Sequence, residues 1–532
     1  MAADTKLDRN KKYDRQLRLW GDHGQDKLQR AKVCLINATA TGTEILKNLI
    51  LPGIGSFTVI DGHQVTSEDV GNNFFLDKNS IGKSRAKYVT QLLQDLNSDV
   101  RGDAIEEHVE NLLQNDSEFF MTFSIVIATS LPERVLLKLG ETLWKQDIPF
   151  IICRSYGMVG YIRLVVNEHA AIETHPDNSH HDLRLDNPFP ELRAYIDPIN
   201  LSAMDKKEHS QTPFIVILLK YMDQWRNLHD GALPKTYKEK DQFKQMIANG
   251  IMQDSEGRPE EEDNFQEAIK NALITLVPTK IPSSVEALLK DEKCLNMSPD
   301  SSNFWILVRA LKEFVDKTGT LPVRGSIPDM TADSTRYINL QRIYQAKANE
   351  DASKMTEYVK NILESLGKGV NSISVQEISN FCKNAFFLKV IRTHSLADEY
   401  NPSTIDVSEI RGYLESGSHE ANFYVLLRAV DKFFEQYNRY PGMFDDQVET
   451  DIWSLRNCVN GLLHDWSLPN TISDDYIHEM CRYGASELHT MAAFLGGAAA
   501  QEAVKIITHQ FVPFNNTFIF NGISASSVTF NL

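Results

Sequence analysis

Residues 33–60 set the frame for the whole chain. Residues 33–36 (V-C-L-I) form a short apolar run of the kind a buried strand needs. Over residues 43–50, Ile45 and Leu49, and Leu46 and Ile50, fall four apart, the spacing of an amphipathic helix. Residues 56–60 are a second apolar run that ends at Asp61. Strand, tight loop, helix and strand together open a nucleotide-binding βαβ unit. Such a loop is rich in glycine because Gly takes positive φ at little cost. Lacking Cβ, it also lets a phosphate reach the N–H groups at the helix N-terminus. Here the loop carries Asn37, Thr39, Ala40 and Gly42. Asn tolerates the left-handed region, whereas a β-branched Thr39 does not, and its side chain takes room that a phosphate needs. The loop thus keeps the frame of a phosphate site and spoils its surface; a βαβ unit that never held a nucleotide reads the same way. Asp61 stands where an acidic residue takes a ribose hydroxyl, and Asp61-Gly62 equally suits a turn.

Strand and helix signals alternate from residue 32 to 167, with apolar runs at 123–128, 150–153 and 161–166 and a helical stretch at 133–145. That alternation predicts an α/β sheet with helices on both faces. Ahead of it, residues 12–21 read as a short helix whose apolar face holds Tyr13, Leu17 and Trp20 and whose Arg15 points elsewhere. The pattern turns helical from residue 212 to about 482, with candidates at 213–224, 237–249, 263–272, 285–289, 304–315, 336–366, 375–385, 423–437 and 447–463. Residues 321–330 (L-P-V-R-G-S-I-P-D-M) are an apolar loop, tucked on its own domain or held for a partner. Residues 488–508 form a helix rich in small residues, in which Gly496, Gly497 and Ala498 to Ala500 permit close backbone approach. Strands are predicted at 516–520 and 527–531. The expected layout is a first α/β part over 1–168, a helical insertion over 169–484 and a closing α/β part over 485–532.

A formal net charge of −17 argues against a nucleic-acid surface. Residues 1–12 lack an apolar signal core, and no apolar run is long enough to span a bilayer. The six cysteines are scattered without a C-x-x-C pair, which points to a reducing compartment and to no zinc site. The expected location is the cytoplasm, with the nucleus as a second compartment. His175, Asp177, His180, His181 and Asp182 lie close in sequence, but their spacing matches no ligand pattern and reads as a polar loop.

Four stretches resemble the adenylation domains of the ubiquitin-activating enzyme family: residues 13–21 (Y-D-R-Q-L-R-L-W-G), 41–48 (T-G-T-E-I-L-K-N), 81–86 (I-G-K-S-R-A) and 492–505 (A-A-F-L-G-G-A-A-A-Q-E-A-V-K). The resemblance implies a Rossmann-like adenylation domain with a large, mostly helical insertion. Its departures imply a degenerate site. Where active members have a Gly-rich loop, this chain has Asn37, Thr39 and Ala40. His63, Asn72 and Arg85 replace an Asp, an Arg and a Lys, and Ser130 stands at the metal-binding Asp. An adenylating site needs a phosphate cradle, cations and a carboxylate for Mg²⁺, so no catalytic residue, bound cofactor or metal is expected in this chain. Arg15 implies a guanidinium donated across a dimer onto the phosphates in the partner's site. The resemblance, with the chain's length and helical middle, implies a regulatory subunit of the neddylation pathway. It would pair with a catalytic adenylating subunit that uses Mg-ATP, act on a ubiquitin-like protein and serve a conjugating enzyme through the complex. A SUMO-pathway regulatory subunit and a single-chain carrier-protein adenylyltransferase are the alternatives. Tyr13, Trp20, Gln211, Asp329, Met330 and Tyr337 are expected at the partner interface.

Overall fold

The computed structural model describes residues 10–177 and 181–532, which divide into two compact units. One runs through Ala171 and resumes from Val390 to Leu532; the other is Ile172–Lys389.

The first unit opens with helix α1 (Asp14–Arg30), which is longer than residues 12–21 and is broken at Gly21 (φ 68°, ψ 174°). Glycine reaches that left-handed conformation without a Cβ clash. Strands β1 (Lys32–Ile36), β2 (Ser56–Ile60), β3 (Arg101–Ile105), β4 (Ile125–Thr129), β5 (Phe150–Tyr156), β6 (Val159–Val165), β7 (Thr517–Asn521) and β8 (Ser526–Phe530) form one eight-stranded sheet. Its order is β8-β7-β6-β5-β4-β1-β2-β3. The strands from β3 to β5 pair in parallel, and β6, β7 and β8 extend the sheet antiparallel. Because β2 lies on one side of β1 and β4 on the other, a crevice opens past the carboxyl end of β1.

The period of two along the strands sorts the core. Val33, Leu35, Ile125 and Ile127 face one way, under helices α2 (Ala40–Ile50) and α7 (His489–Thr508). Cys34, Ile36, Val126 and Ala128 face the other way, against helices α4 (Glu133–Lys145) and α5 (His419–Tyr437). Helix α3 (Arg85–Gln94) lies on the first face and helix α6 (Val448–Asp465) on the second. This second layer explains where the first unit resumes. The sequence reading places residues 390–484 in the insertion, but Phe423, Leu426 and Val430 of α5 are fully buried and cover a sheet face that would otherwise meet water.

The second unit is mainly helical around Phe214–Leu228, whose Ile215, Val216, Ile217, Leu218 and Leu219 are fully withdrawn from solvent. Residues 321–330 pack on this unit. Leu321, Val323 and Ile327 turn inward, the Val323 N–H donates to Asp351 Oδ2 (3.0 Å), and the Leu321 carbonyl accepts from Arg184 Nη2 (2.7 Å). The apolar side chains at 321, 323 and 327 of that loop are thus tucked on their own unit, and Asp329 at its end stays exposed. Among the described residues no helix is long and apolar enough to cross a membrane.

Candidate functional site

The crevice past β1 is lined by the loop the sequence singled out, and the N–H groups of Asn37, Ala38, Thr41 and Gly42 in it are taken by the chain itself. Asn37 takes the left-handed conformation (φ 64°) and its N–H donates to the Ile60 carbonyl at 3.0 Å. The Ala38 N–H donates to Asp61 Oδ2 (2.8 Å), and the Asn37 amide donates to the carbonyls of Thr129 (3.1 Å) and Ser130 (3.2 Å). Thr39 departs from the expectation of backbone strain: its φ is −68° and its ψ 175°, ordinary extended values. It is the N-cap of α2, its Oγ1 accepting from the Gly42 N–H (3.3 Å). Ala40 begins the helix and is buried. Gly42 is needed for space, since a Cβ there would lie 2.8 Å from the Asn37 carbonyl oxygen.

Asp61 does not offer itself to a ribose. It accepts four hydrogen bonds: from Ala38 N–H, from the His63 N–H (2.9 Å) and Nδ1 (2.8 Å), and from Arg85 Nε (2.6 Å). Those fill a carboxylate's acceptor positions. Burial alone would raise its pKa, but His63 and Arg85 hold it down at about 2. Arg85 also donates from Nη1 to Asp69 Oδ1 (3.0 Å), so this cation is committed to structure.

A residue absent from the sequence reading completes the site. Glu487 lies just ahead of α7, and its Oε2 accepts from the Thr41 N–H (2.9 Å) and the Thr41 hydroxyl (3.1 Å). Its Oε1 accepts from the Ser130 hydroxyl at 3.3 Å, and the Asn72 amide donates to its carbonyl at 3.2 Å. Burial pushes the Glu487 carboxyl above its ordinary pKa, against the pull of these donors. Thus Asn72 and Ser130, two of the positions that depart from the active pattern, converge on one acidic side chain. Ser130 takes a positive φ (49°) at the end of β4. The one sequence signal for Glu487 was an acidic residue ahead of the helix of small residues; its 446-residue separation from Thr41 hid the contact.

Arg15 stands exposed on the first turns of α1, and no described residue forms an ion pair or hydrogen bond with its guanidinium. Tyr13 and Trp20, expected at a partner interface, are instead turned into their own unit. The Tyr13 hydroxyl donates to Asp99 Oδ2 (3.0 Å), and the Trp20 indole donates to Gln25 Oε1 (3.0 Å). Their apolar bodies complete the packing of α1, which is why they are buried. In the second unit Asp329 is exposed, Met330 and Tyr337 are half-buried against the unit's core, and the half-buried Gln211 accepts from the Asp333 N–H through its carbonyl (3.1 Å).

The six cysteines are buried free thiols. Burial raises Cys34, Cys153 and Cys458 and pushes Cys294 to about 11 and Cys382 and Cys481 to about 12, the reverse of what a nucleophile needs. Among the described residues no group of three or more His, Cys, Asp or Glu side chains is arranged to hold a metal. His180 of the predicted polar loop lies outside the described residues, while Asp182 pairs with Arg184 (2.6 Å).

Comparison with known proteins agrees with this geometry. Residues 13–531 match the model of the ThiF family. A zebrafish (Danio rerio) protein described as a NEDD8-activating enzyme E1 regulatory subunit is 54% identical over 532 residues, covering 100% of both chains. The Arabidopsis thaliana regulatory subunit AXR1 of the same enzyme is 44% identical over 530 residues, 98% of this chain and 96% of that one. A Saccharomyces cerevisiae regulatory subunit of the same description is 28% identical over 540 residues, 98% of this chain and 100% of that one. With its family model matched almost end to end and its relatives matched over their whole length, the chain belongs to the ThiF family, among the NEDD8-activating enzyme E1 regulatory subunits.

Proposed function

We propose that this chain is the non-catalytic half of a heterodimer that activates the ubiquitin-like protein NEDD8. The observation that carries the reading is the state of the loop after β1: the N–H groups of Asn37, Ala38, Thr41 and Gly42 all have partners within the chain. A nucleoside triphosphate with Mg²⁺ needs those donors and a carboxylate at position 130, where Ser130 stands. The residues present do not fit that group, so no adenylation step is assigned to this chain. The catalytic partner binds Mg-ATP, adenylates the C-terminus of NEDD8, takes the acyl group on its own cysteine as a thioester and passes it to a conjugating enzyme. Relatives matched over their full length carry the NEDD8 description, which favours that pathway over SUMO.

Arg15 is this chain's contribution to the chemistry. A planar guanidinium held on a helix, with no ion pair or hydrogen bond to it among the described residues, suits an anion presented by another chain. It would stabilise charge on the partner's phosphates as an arginine finger does. The pair works in the cytoplasm and nucleus, a reading supported by six unpaired thiols. A net charge of −17 supports protein partners over nucleic acid.

The test uses the assembled heterodimer with NEDD8. Arg15→Ala should leave the dimer intact on size-exclusion chromatography and slow ATP–pyrophosphate exchange by about tenfold or more, short of the 10³–10⁵ seen for fully dependent arginine fingers. An unchanged exchange rate would make Arg15 a bystander. Exchange by this chain without its partner would overturn its non-catalytic assignment.

A further inference from the structure

The loop after β1 is an anion site with an anion already in it. Helix α2 is 11 residues long, and the Thr41 N–H belongs to its first turn, where the helix dipole and the unsatisfied N–H groups favour negative charge. The group seated there is a carboxylate, held by the Thr41 N–H, the Thr41 hydroxyl and the Ser130 hydroxyl. These donors are all neutral, and among the described residues no Lys, Arg or His forms an ion pair with Glu487. A half-buried negative charge without a cation is costly, and the N-terminus of α2 offsets part of that cost, short of the burial that holds the Glu487 carboxyl above its ordinary pKa.

The seat is also built from the main chain. The Gly157 N–H donates to the Ser486 carbonyl at 2.7 Å, and the Asn72 amide holds the Glu487 carbonyl, so the residue is fixed from both sides. Gly157 (φ 56°) has no room for a Cβ beneath the Tyr483 ring, which brings this segment down onto the turn between β5 and β6. Ser130 fits the same arrangement. A carboxylate at that position would face the Glu487 carboxylate across about one hydrogen-bond length, whereas the hydroxyl donates to it.

We propose that Glu487 is a tethered substitute for a nucleotide phosphate. Its carboxylate closes the site from within, and withdrawing it uncovers a binding site for a small phosphorus oxyanion. The inference rests on the reading of the loop as a former phosphate cradle. It assigns the exclusion of polyphosphates to one charged side chain rather than to Thr39, whose hydroxyl caps α2, shares a hydrogen bond with the Thr129 hydroxyl (3.1 Å) and helps hold the Glu487 carboxyl in place.

The experiment titrates the full-length chain with inorganic pyrophosphate and, separately, with Mg-ATP, following heat and melting temperature. Wild type should bind neither. Glu487→Ala should bind pyrophosphate saturably, about tenfold or more tightly than the weakest binding the titration can detect, and Glu487→Gln, which keeps the shape and loses the charge, should fall between it and wild type. If Glu487→Ala does not fold, Glu487→Gln alone decides: pyrophosphate binding no tighter than wild type overturns the proposal. If both variants fold and stay as silent as wild type, Glu487 is not what keeps the anion out, and the non-catalytic reading of the loop stands without it. Saturable binding of Mg-ATP by wild type would instead overturn that reading and this inference together.

Discussion

Arg163 Nε donates to Glu399 Oε2 at 2.7 Å, and both side chains are completely withdrawn from solvent. Arg163 lies in the middle of β6, and Glu399 belongs to the segment that returns from the second unit. The Tyr424 hydroxyl donates to the other Glu399 oxygen (2.8 Å) and accepts from Arg428 Nη1 (3.1 Å), which ties α5 into the same cluster. Burial works against the ionised carboxylate, but Arg163 and Arg428 hold its pKa below the ordinary Glu value.

Replacing Arg163 with Met should therefore cost about 3–5 kcal/mol, because it removes the cation paired directly with the buried Glu399 and leaves only the more distant Arg428 to offset its charge. Urea unfolding would show this as a lower midpoint at an unchanged slope. The double variant Arg163→Met, Glu399→Leu should recover part of that loss, since an apolar pair of similar volume replaces the buried ion pair while the Tyr424 hydroxyl loses its acceptor. A single variant as stable as wild type would show that this pair does not hold the returning segment to the sheet.

Asp61 predicts an acid limb. Its folded pKa is lowered from 3.8 to about 2, so it contributes stability that is fully present above 3.8 and is lost as pH falls through about 2. A shift of that size corresponds to about 2 kcal/mol. Arg85→Met removes an attraction that lowers the folded pKa and moves it back towards 3.8, so the variant should be less stable at neutral pH and should lose less stability on acidification than wild type. Chemical denaturation repeated at several acidic pH values measures this, and coincident acid limbs would refute it.

Two adjacent glycines in α7 should respond in opposite directions. A Cβ on Gly496 would lie 2.5 Å from Glu44 Cβ and 2.9 Å from the Glu44 backbone carbon, whereas a Cβ on Gly497 meets nothing within 4 Å. Gly496→Ala should destabilise by about 1–3 kcal/mol through overpacking against α2. Gly497→Ala should stabilise by about 0.4–1 kcal/mol, because alanine leaves the unfolded chain less freedom to lose. Melting temperatures of the two variants test the pair.

The sequence was most readable where pattern and chemistry coincide. The period-two runs of β1 and β4, the helix of small residues and the Asn37–Gly42 loop all stand where their residues implied. It was least readable where partners are distant. β3 (R-G-D-A-I) is a partly exposed edge strand with no apolar alternation, so nothing marked it. Helices α5 and α6 carry ordinary amphipathic spacing, which cannot say whether the buried face meets other helices or a sheet. At the site, the loop was found but the cause of its closure was not. Thr39 was the visible irregularity, while Glu487 acts from the far end of the chain.

That distance bears on how the protein is made. On the ribosome, N-terminal elements emerge first, at roughly 5–20 residues per second. Strands β1 to β6 can therefore assemble well before residue 487 appears, 446 positions after Thr41. During that interval β6 is an open edge without β7, and the first turn of α2 lacks its carboxylate. The nascent domain is thus most exposed to stray strand pairing and to soluble anions midway through translation, and a truncation before α7 would hold it in that vulnerable state.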